Sequence, residues 1–501
     1  MLGSSHVGPR RWLRRVFLLA GLTAGAVLGV SSAAVAAAAP PRLGHAGRWI
    51  TDPTGRVVIT HGLNMVYKVP PYYPGAAGFG SDDAAFLERM DFNVVRVGII
   101  WKAVEPRPGV YNDAYLRHIA GTVRVLAGHG IYSLLDFHQD MYNEKFQGEG
   151  APDWAVQDGG LPNPKHGFPA NYYMDPALQR AEDHFWANRP APDGVGLQAH
   201  YAAAWRHVAR MFRTAPGVLG YELLNEPSAG TRFLFCIAAA GCPGFDAQLT
   251  AFHRRVARAI RTVDRHTLIF YEPDVAFDFG HATSLGALRN GPAGLAFHDY
   301  CLGASPNGCP SEPQGFAHAR GYVARTREAL ILTEWGSNHF RADLTGMVSL
   351  ADRNMVPWIE WSYCPCRDPT GSTPDPLVLN PALPPVGPNV GRFAQGILVE
   401  PFPHLVAGTP LAWGYNRQTK TFRLRYSTAR PDGRGRFPAG AITEIATPHL
   451  IYARPYVVHI HGGAIVSRSG ARILDVAACP GARQISVQVL GSGRDRESCR
   501  L

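Results

Sequence analysis

The sequence predicts an α/β fold, a (β/α)8 barrel followed by a small C-terminal antiparallel β-sandwich. Short apolar runs alternate with helical patterns between residues 57 and 363, which is the element order of a parallel β/α protein. Eight such runs are present, and eight β/α units close into a barrel. Beyond about residue 410, apolar residues recur at every second position, which is typical of half-buried antiparallel strands.

The N-terminal segment, residues 1–39, is predicted to be an export signal. It has four arginines between Arg10 and Arg15, an uncharged run from Val16 to Val30, and small residues before Pro40. An uncleaved membrane anchor is the alternative, because the uncharged stretch is long enough to span a bilayer. The arginine pair also resembles a twin-arginine signal, so the export route stays open. We expect a secreted or cell-envelope protein after cleavage.

The barrel domain is predicted to occupy residues 45–405. Its eight strands are predicted at residues 57–65, 92–100, 132–137, 218–224, 267–271, 294–297, 330–333 and 356–361. Helical patterns lie between them, for example at residues 82–90, 113–129, 199–213 and 247–263. The connection from Met141 to His200 is too long for an ordinary β/α loop and is rich in aromatic residues. We predict that it forms a lid or wall over the barrel mouth, its rings either packed on the rim or touching substrate.

The sandwich is predicted to occupy residues 410–501. It follows a proline-rich run at residues 380–388 and a last helix at residues 392–398. Its strands are predicted at residues 422–426, 442–446, 456–460, 472–476 and 485–490. We predict a structural or membrane-apposing role for this domain.

Composition narrows the function classes. The chain has 501 residues, 46% of them apolar, which is enough for a large core and a second domain. Its net charge of +10 falls to +6 without the export signal, since that segment has four arginines and no acids. The remaining charges form no run of like sign, so we expect no nucleic-acid partner. A mildly basic surface is compatible with transient contact at a membrane surface.

Eight cysteines, an even number, are consistent with an oxidising compartment. Three pairs are close enough in sequence to form local disulfides: Cys236 and Cys242, Cys301 and Cys309, Cys479 and Cys499. Cys364 and Cys366 would form a strained ring if paired with each other. A metal site is the alternative, but no Cys-x-x-Cys or His-x-x-x-His set accompanies them, so we predict neither a metal nor an organic cofactor.

Two apolar runs that end in a glutamate carry the functional signal. Glu226 follows the run beginning at Val218, and Glu334 ends the run beginning at Leu330. The carboxyl ends of barrel strands share one face, so the two side chains should meet there. Breaking a glycosidic bond needs one carboxyl group to protonate the leaving oxygen and another to meet the sugar carbon. We assign Glu226 as acid/base and Glu334 as nucleophile of a retaining glycosidase, about 5 Å apart rather than the 6.5–9.5 Å of inverting enzymes.

Other polar residues at strand ends should support this pair. A buried Arg96 requires a carboxylate partner, for which Glu334 is the natural choice. Asn225 could bond a sugar 2-hydroxyl, and Tyr300 could donate a hydrogen bond to the nucleophile. Further predicted binding residues are His138, Asp140, His298 and Trp361.

Seven motifs resemble those of bacterial endoglycoceramidases, within glycoside hydrolase family five. The motifs are Gly62-Leu-Asn-Met-Val-Tyr-Lys68, Asp136-Phe-His-Gln-Asp140, Gly150-Ala-Pro-Asp-Trp154, Leu223-Leu-Asn-Glu-Pro227, His298-Asp-Tyr300, Leu332-Thr-Glu-Trp-Gly336 and Trp358-Ile-Glu-Trp361. The resemblance as a whole spans essentially the entire exported chain, including the C-terminal sandwich. The resemblance implies a retaining (β/α)8 hydrolase that cuts between the glycan and the ceramide of a glycosphingolipid. It also implies that Lys68, Asp140 and Trp361 hold the first sugar. The polar shell around the glutamates would be Arg96, His138, Asn225, His298 and Tyr300.

Two other functions fit the same residues. A β-glucan or mannan endo-hydrolase would use the same two glutamates, but it needs a long polar groove instead of an apolar slot beside Glu226. A non-catalytic glycan- or lipid-binding protein is the alternative from another class, and it would show no turnover.

Overall fold

The computed structural model describes residues 39–239, 241–452 and 455–500. Apart from residue 39, the predicted export signal therefore lies outside the described residues. No helix in the described ranges combines the length and the apolar character needed to cross a bilayer.

Eight parallel strands form a closed barrel, which confirms the predicted fold class. Three short strands precede it: β1 (Gly44–Ala46), β2 (Trp49–Thr51) and β3 (Val57–Val58). The barrel strands are β4 (His61–Met65), β5 (Val94–Ile99), β6 (Tyr132–Phe137), β7 (Val218–Glu222), β8 (Leu268–Tyr271), β9 (Ala293–Asp299), β10 (Ala329–Trp335) and β11 (Trp358–Glu360). They follow one another in chain order, and β11 closes the ring on β4, where Trp358 pairs with His61. Every residue of these strands is buried, as expected for a parallel sheet covered by helices.

Helices surround the barrel and connect its strands. They are α1 (Ser81–Arg89), α2 (Trp101–Val104), α3 (Asp113–Gly128), α4 (Asn171–Met174), α5 (Pro176–Trp186), α6 (Leu197–Phe212), α7 (Phe233–Ala238), α8 (Pro243–Arg261), α9 (Glu312–Thr326), α10 (Arg341–Asn354) and α11 (Arg392–Leu398). Local sequence sets their ends: Asn112 caps α3 by accepting the N–H of Tyr115, and Asp175 caps α5 just before a proline at its first position.

The first predicted barrel strand, residues 57–65, is two strands in two different sheets. β3 pairs antiparallel with the later strand β12 (Phe402–Val406), where Val58 faces Leu405, whereas β4 enters the barrel. Residues 57–65 are buried without a break, and only the polar pair Thr60 and His61 interrupts the apolar run at the junction.

The remaining strands form two antiparallel sheets. They are β13 (Thr409–Asn416), β14 (Thr421–Ser427), β15 (Ile442–Ala446), β16 (Val457–His461), β17 (Gly463–Ile465), β18 (Ile473–Ala478) and β19 (Gln484–Leu490). One sheet has the order β1-β2-β3-β12-β15-β18-β17 and the other β13-β14-β19-β16. A shared apolar core includes Val57, Phe402 and Val458. The first sheet therefore combines strands from both sides of the predicted domain boundary, and the bounds 45–405 and 410–501 stay predictions.

Four disulfides join all eight cysteines. The three predicted local pairs form, and Cys364 pairs with Cys366 despite the strain that we expected of so short a ring.

Candidate active site

Glu226 and Glu334 meet at the carboxyl-terminal end of the barrel. Glu334 lies in β10, and Glu226 lies four residues beyond the end of β7. An oxygen of each carboxyl group and a ring nitrogen of His298 all lie within 4.8 Å of one another. Carboxyl oxygens no more than 4.8 Å apart fit the roughly 5 Å of retaining glycosidases and fall short of the roughly 6.5–9.5 Å of inverting ones.

Two donors fix the carboxylate of Glu334. Arg96 Nη1 bonds Oε1, as predicted, and the hydroxyl of Tyr300 donates to Oε2 at 2.8 Å. Arg96 is fully buried, so its positive charge acts on Glu334 with little screening by solvent. Burial also raises the pKa of Tyr300 well above its usual value, reinforced by the negative charge of Glu334. Tyr300 therefore stays a hydroxyl donor at any working pH.

Arg96 is the centre of a buried charge network. Besides Glu334, it pairs with three acids that the sequence reasoning missed: Glu222 at 2.6 Å, Asp136 at 3.1 Å and Glu272 at 3.4 Å. Burial alone would lower the pKa of Arg96, but the surrounding carboxylates raise it well above its usual value. The guanidinium thus holds the ends of several barrel strands in one fixed arrangement.

The surroundings of Glu226 favour its protonated form. Burial raises its pKa to about 7, with a further contribution from the negative charge of Asp140. Its Oε1 lies 2.9 Å from Nδ1 of His298, whose pKa burial lowers to about 4. His298 is therefore a neutral imidazole near pH 7, and Glu226 can carry a proton there.

The backbone also holds Glu226 in place. Its φ of +43° is in the left-handed region, which a non-glycine residue adopts only when its surroundings impose it. Its N–H donates to Glu272 Oε2 at 2.9 Å, and Gln139 Nε2 donates to the carbonyl groups of Asn225 and Glu226 at 2.8 and 3.1 Å. These bonds fix the direction of the carboxyl side chain.

Asn225 lies beneath the cavity. Its Oδ1 accepts from Arg96 at 2.8 Å, and its Nδ2 donates to the carbonyl group of Gln139 at 3.0 Å. The predicted contact between Asn225 and a sugar hydroxyl can therefore use only the second N–H of the amide.

Lys68, Asp140 and Trp361 lie together, as the resemblance implied. Lys68 Nζ is 2.6 Å from Asp140 and 3.1 Å from Asp368, and it lies 4.3 Å from the centre of the Trp361 ring. The ring of His138 stacks against Trp361 with 5.4 Å between centroids. Although burial alone would lower the pKa of His138, hydrogen bonds to Asp136 and Asp140 raise it to about 9. This polar wall therefore combines cations, a carboxylate and a flat indole face.

A cavity of about 230 Å³ opens above the two glutamates. Seven of the ten predicted site residues line it: Lys68, His138, Asp140, Glu226, Tyr300, Glu334 and Trp361. The other three, Arg96, Asn225 and His298, are buried and support it from below. The long connection after β6 contributes Phe168 and Tyr172 to the wall, whereas its Phe185 and Trp186 pack in the core. One part of that connection therefore forms a wall of the cavity, and another part packs in the apolar core.

Besides Asp136, three acids in or under the cavity were not identified from the sequence. Glu272 directly follows β8, so the strand-end rule that found Glu334 applies to it as well. Asp278 lies 4.0 Å from His298, and burial together with Glu226 and Glu334 raises its pKa well above its usual value. Glu222 is the last residue of β7 and is fully buried. The sequence does not reveal its role, because its contacts depend on how neighbouring barrel strands are aligned.

Fold and site define a retaining glycoside hydrolase with a (β/α)8 barrel. Residues 58–367 match the family model "Cellulase (glycosyl hydrolase family 5)", and residues 401–489 match "Glycoside hydrolase family 5 C-terminal domain". The chain belongs to glycosyl hydrolase family 5.

Its relatives include endoglycoceramidases. The chain is 30% identical to Endoglycoceramidase I of Rhodococcus hoagii (strain 103S), covering 88% of this chain and 87% of that protein. A lactosyl-enzyme intermediate of Endo-glycoceramidase II from Rhodococcus sp. is similar in structure, with 27% identity, a TM-score of 0.70, and 89% and 100% of the two chains covered. The ganglioside GM3 complex of the same enzyme gives 26% identity and a TM-score of 0.69, with 89% and 99% covered.

Proposed function

We propose that the protein hydrolyses the β-bond between the glycan and the ceramide of glycosphingolipids, with Glu226 as acid/base and Glu334 as nucleophile. The observation that carries the proposal is the 4.8 Å grouping of the two carboxyl groups beneath a cavity with one polar and one apolar wall. The relatives named for endoglycoceramidase activity support the substrate class.

In the first step, an oxygen of Glu334 attacks the anomeric carbon while Glu226 gives its proton to the leaving oxygen. The C–O bond to the ceramide breaks, the ceramide leaves as an alcohol, and the sugar becomes esterified to Glu334. A pKa of about 7 lets Glu226 hold this proton near neutral pH.

In the second step, Glu226 is ionised and takes a proton from a water molecule at the same carbon. The water oxygen bonds to the anomeric carbon, the ester to Glu334 breaks, and the glycan is released with its original configuration. The bonds from Arg96 and Tyr300 stabilise the carboxylate of Glu334 as it leaves.

The apolar wall of the cavity favours a lipid leaving group. Tyr172 stacks on Phe233 with 5.8 Å between ring centres, and Phe168 lies 6.2 Å from Tyr172. Val275 and Leu302 line the same cavity. A polysaccharide would need polar binding sites on both sides of the cleaved bond, whereas hydrocarbon chains gain free energy from this surface.

The rim beside this wall supports contact with a membrane surface, where the substrate resides. Apolar side chains on it are unusually exposed: Phe168 36%, Tyr173 39%, Met174 49%, Leu234 56%, Phe235 67% and Leu302 80%. Exposed apolar patches mark protein or membrane interaction sites. Leu234 and Phe235 lie on α7, whose Phe233 reaches into the cavity.

The catalytic assignment is tested by trapping and substitution. A 2-deoxy-2-fluoro aryl β-lactoside should leave a glycosyl group on Glu334, located by peptide mass spectrometry. Glu334→Gln should abolish hydrolysis of both aryl lactoside and lactosylceramide. Glu226→Gln should lose lactosylceramide hydrolysis but still form the glycosyl-enzyme from an aryl lactoside whose leaving group needs no proton. Label on another residue, or near-wild-type turnover by Glu334→Gln, contradicts the assignment.

The substrate class is tested with a panel of glucosylceramide, galactosylceramide, GM3, β-glucan and mannan. Turnover confined to the glycolipids supports the proposal, and faster turnover of either polysaccharide contradicts it.

The membrane contact is tested with the double variant L234S/F235S. It should bind lactosylceramide vesicles less and hydrolyse them more slowly, with unchanged activity on a soluble aryl lactoside. The matched control is L450S/V466S, which removes two apolar side chains that are 46% and 48% exposed in loops between the C-terminal strands. Equal effects of both variants on vesicle activity would contradict the contact.

We also propose export to the cell envelope or medium. Support comes from the composition of residues 1–39 and from four disulfides, which persist in oxidising compartments. Mass analysis of the mature protein should show cleavage near residue 39, and a cytoplasmic, uncleaved chain would contradict it.

A further inference from the structure

A second large groove lies between helix α10 and the four-stranded C-terminal sheet. Its volume is about 880 Å³, several times that of the catalytic cavity. The sheet β13-β14-β19-β16 forms its floor, and Ser349 and Arg353 of α10 form one wall. None of the catalytic residues lines it.

The groove is remote from the glutamates. Strand β10 carries Glu334 to the barrel mouth, and α10 then runs back toward the start of β11. Residues 349–353 are in the last part of α10, so the groove is at the opposite end of the barrel from the mouth. A ligand here would not compete with substrate.

The sheet presents two cross-strand rows of polar side chains to the groove. In one row Arg423 faces Gln488, which faces His459, and in the next Arg425 faces Ser486, which faces His461. Directly opposed side chains lie about 4.5–5.5 Å apart at their Cβ atoms. Each row therefore offers a guanidinium, a neutral hydrogen-bonding group and an imidazole in line.

The groove is cationic and lacks compensating acids. Arg353 and Arg496 add two exposed guanidinium groups to those of Arg423 and Arg425. Among the described residues, none of these four makes a salt bridge within 4.0 Å. The one acid in the lining, Asp352, is buried and accepts a 2.7 Å hydrogen bond from Trp413. Unpaired guanidinium groups that converge on a concave surface are matched by carboxylate or sulfate groups, which they bind through two parallel hydrogen bonds.

We propose that this groove binds an acidic oligosaccharide, a short glycan with carboxylate or sulfate groups. Gln488 and Ser486 can bond sugar hydroxyls between the arginines on one side and the histidines on the other. The four-strand floor is about 14 Å wide, from three strand spacings of about 4.8 Å, which is the span of a few sugars. The cations lie on a concave floor bounded by α10, whereas a bilayer presents a flat surface, which favours a glycan.

The test is calorimetric titration of the full chain with a heparin-derived hexasaccharide, with neutral cellohexaose as comparison. The wild type should bind the acidic hexasaccharide and not the neutral one. R423E/R425E should weaken binding at least about tenfold, since it removes two charge-assisted contacts. The matched control R434E/R468E changes the net charge equally at two exposed arginines outside the groove and should retain binding within about twofold.

The proposal is overturned by an absence of heat with the hexasaccharide, by equal weakening in both variants, or by equal binding of cellohexaose. Anionic vesicles and a DNA oligonucleotide are tested as competing ligands. If either one binds the groove and the hexasaccharide does not, the proposal is also overturned. Thermal unfolding and hydrolysis of a soluble aryl lactoside should be unchanged in both variants, which shows that lost binding does not come from misfolding. This activity control also separates the proposal from the catalytic assignment.

Discussion

The backbone N–H of Glu226 donates a 2.9 Å hydrogen bond to Oε2 of Glu272, the acid that follows strand β8. Burial and the charge of Glu222 raise the pKa of Glu272 well above its usual value. The carboxyl group of Glu272 therefore stabilises the left-handed backbone of the proposed acid/base.

We expect Glu272→Ala to lower kcat strongly with a smaller change in KM. Loss of the acceptor lets the backbone of Glu226 relax, and a displacement of about 1 Å at a reacting group can cost roughly 100-fold in rate. Glu272→Gln keeps an oxygen acceptor for the Glu226 N–H and should retain most of the activity. Equal losses in both variants, measured by steady-state kinetics on an alkyl β-lactoside, would contradict a positioning role.

Activity should fall as the pH rises through about 7, because Glu226 must be protonated for the first step and its pKa is about 7. The negative charge of Asp140 contributes to that raised pKa, so Asp140→Asn should move the basic limb of kcat/KM to lower pH. The matched control is Asp82→Asn, which removes an equal charge from the exposed start of α1. An unshifted limb in Asp140→Asn, or an equal shift in the control, would argue against this electrostatic coupling.

Tyr300→Phe should lower kcat/KM by roughly 10- to 100-fold. It removes the 2.8 Å hydrogen bond to Glu334, and a bond to a charged group is worth about 1.5–3 kcal/mol. Tyr173→Phe, at the exposed rim, provides a control that loses a hydroxyl group elsewhere. The readout is hydrolysis of a soluble aryl lactoside, and similar losses in the two variants would count against the assigned contact.

A chain truncated at residue 409 should be insoluble. Deletion removes β13 to β19 and exposes Val57, Phe402 and Val406, which are almost fully buried. Expression, solubility and thermal unfolding measure the effect. A soluble truncated chain with full activity on glycolipid vesicles would show that the C-terminal sheets are dispensable.

Much of the fold was readable because buried parallel strands appear as continuous apolar runs. The predicted bounds of β6, β15 and α11 agree with the structure residue for residue. Strand β13 was missed because its Pro410 and Gly414 interrupt the alternation that reveals antiparallel strands. The change of sheet between β3 and β4 was missed because both segments are buried and only Thr60 and His61 interrupt the apolar run at the junction.

The site was readable where a residue type and a strand end coincide, as for Glu226 and Glu334. The resemblance added Lys68, Asp140 and Trp361, which converge in the structure. The partners of Arg96 come from several strands whose lateral register the sequence pattern does not encode. Only the closed barrel shows that the guanidinium of Arg96 pairs with four carboxyl groups.

The pairing of Val58 with Leu405 joins residues almost 350 positions apart. During synthesis, β3 cannot pair with β12 until nearly the entire barrel has left the ribosome. Contacts so distant along the chain slow folding and leave unpaired edges open to self-association. The enzyme should therefore depend on chaperones or on delayed folding until its last hundred residues are made.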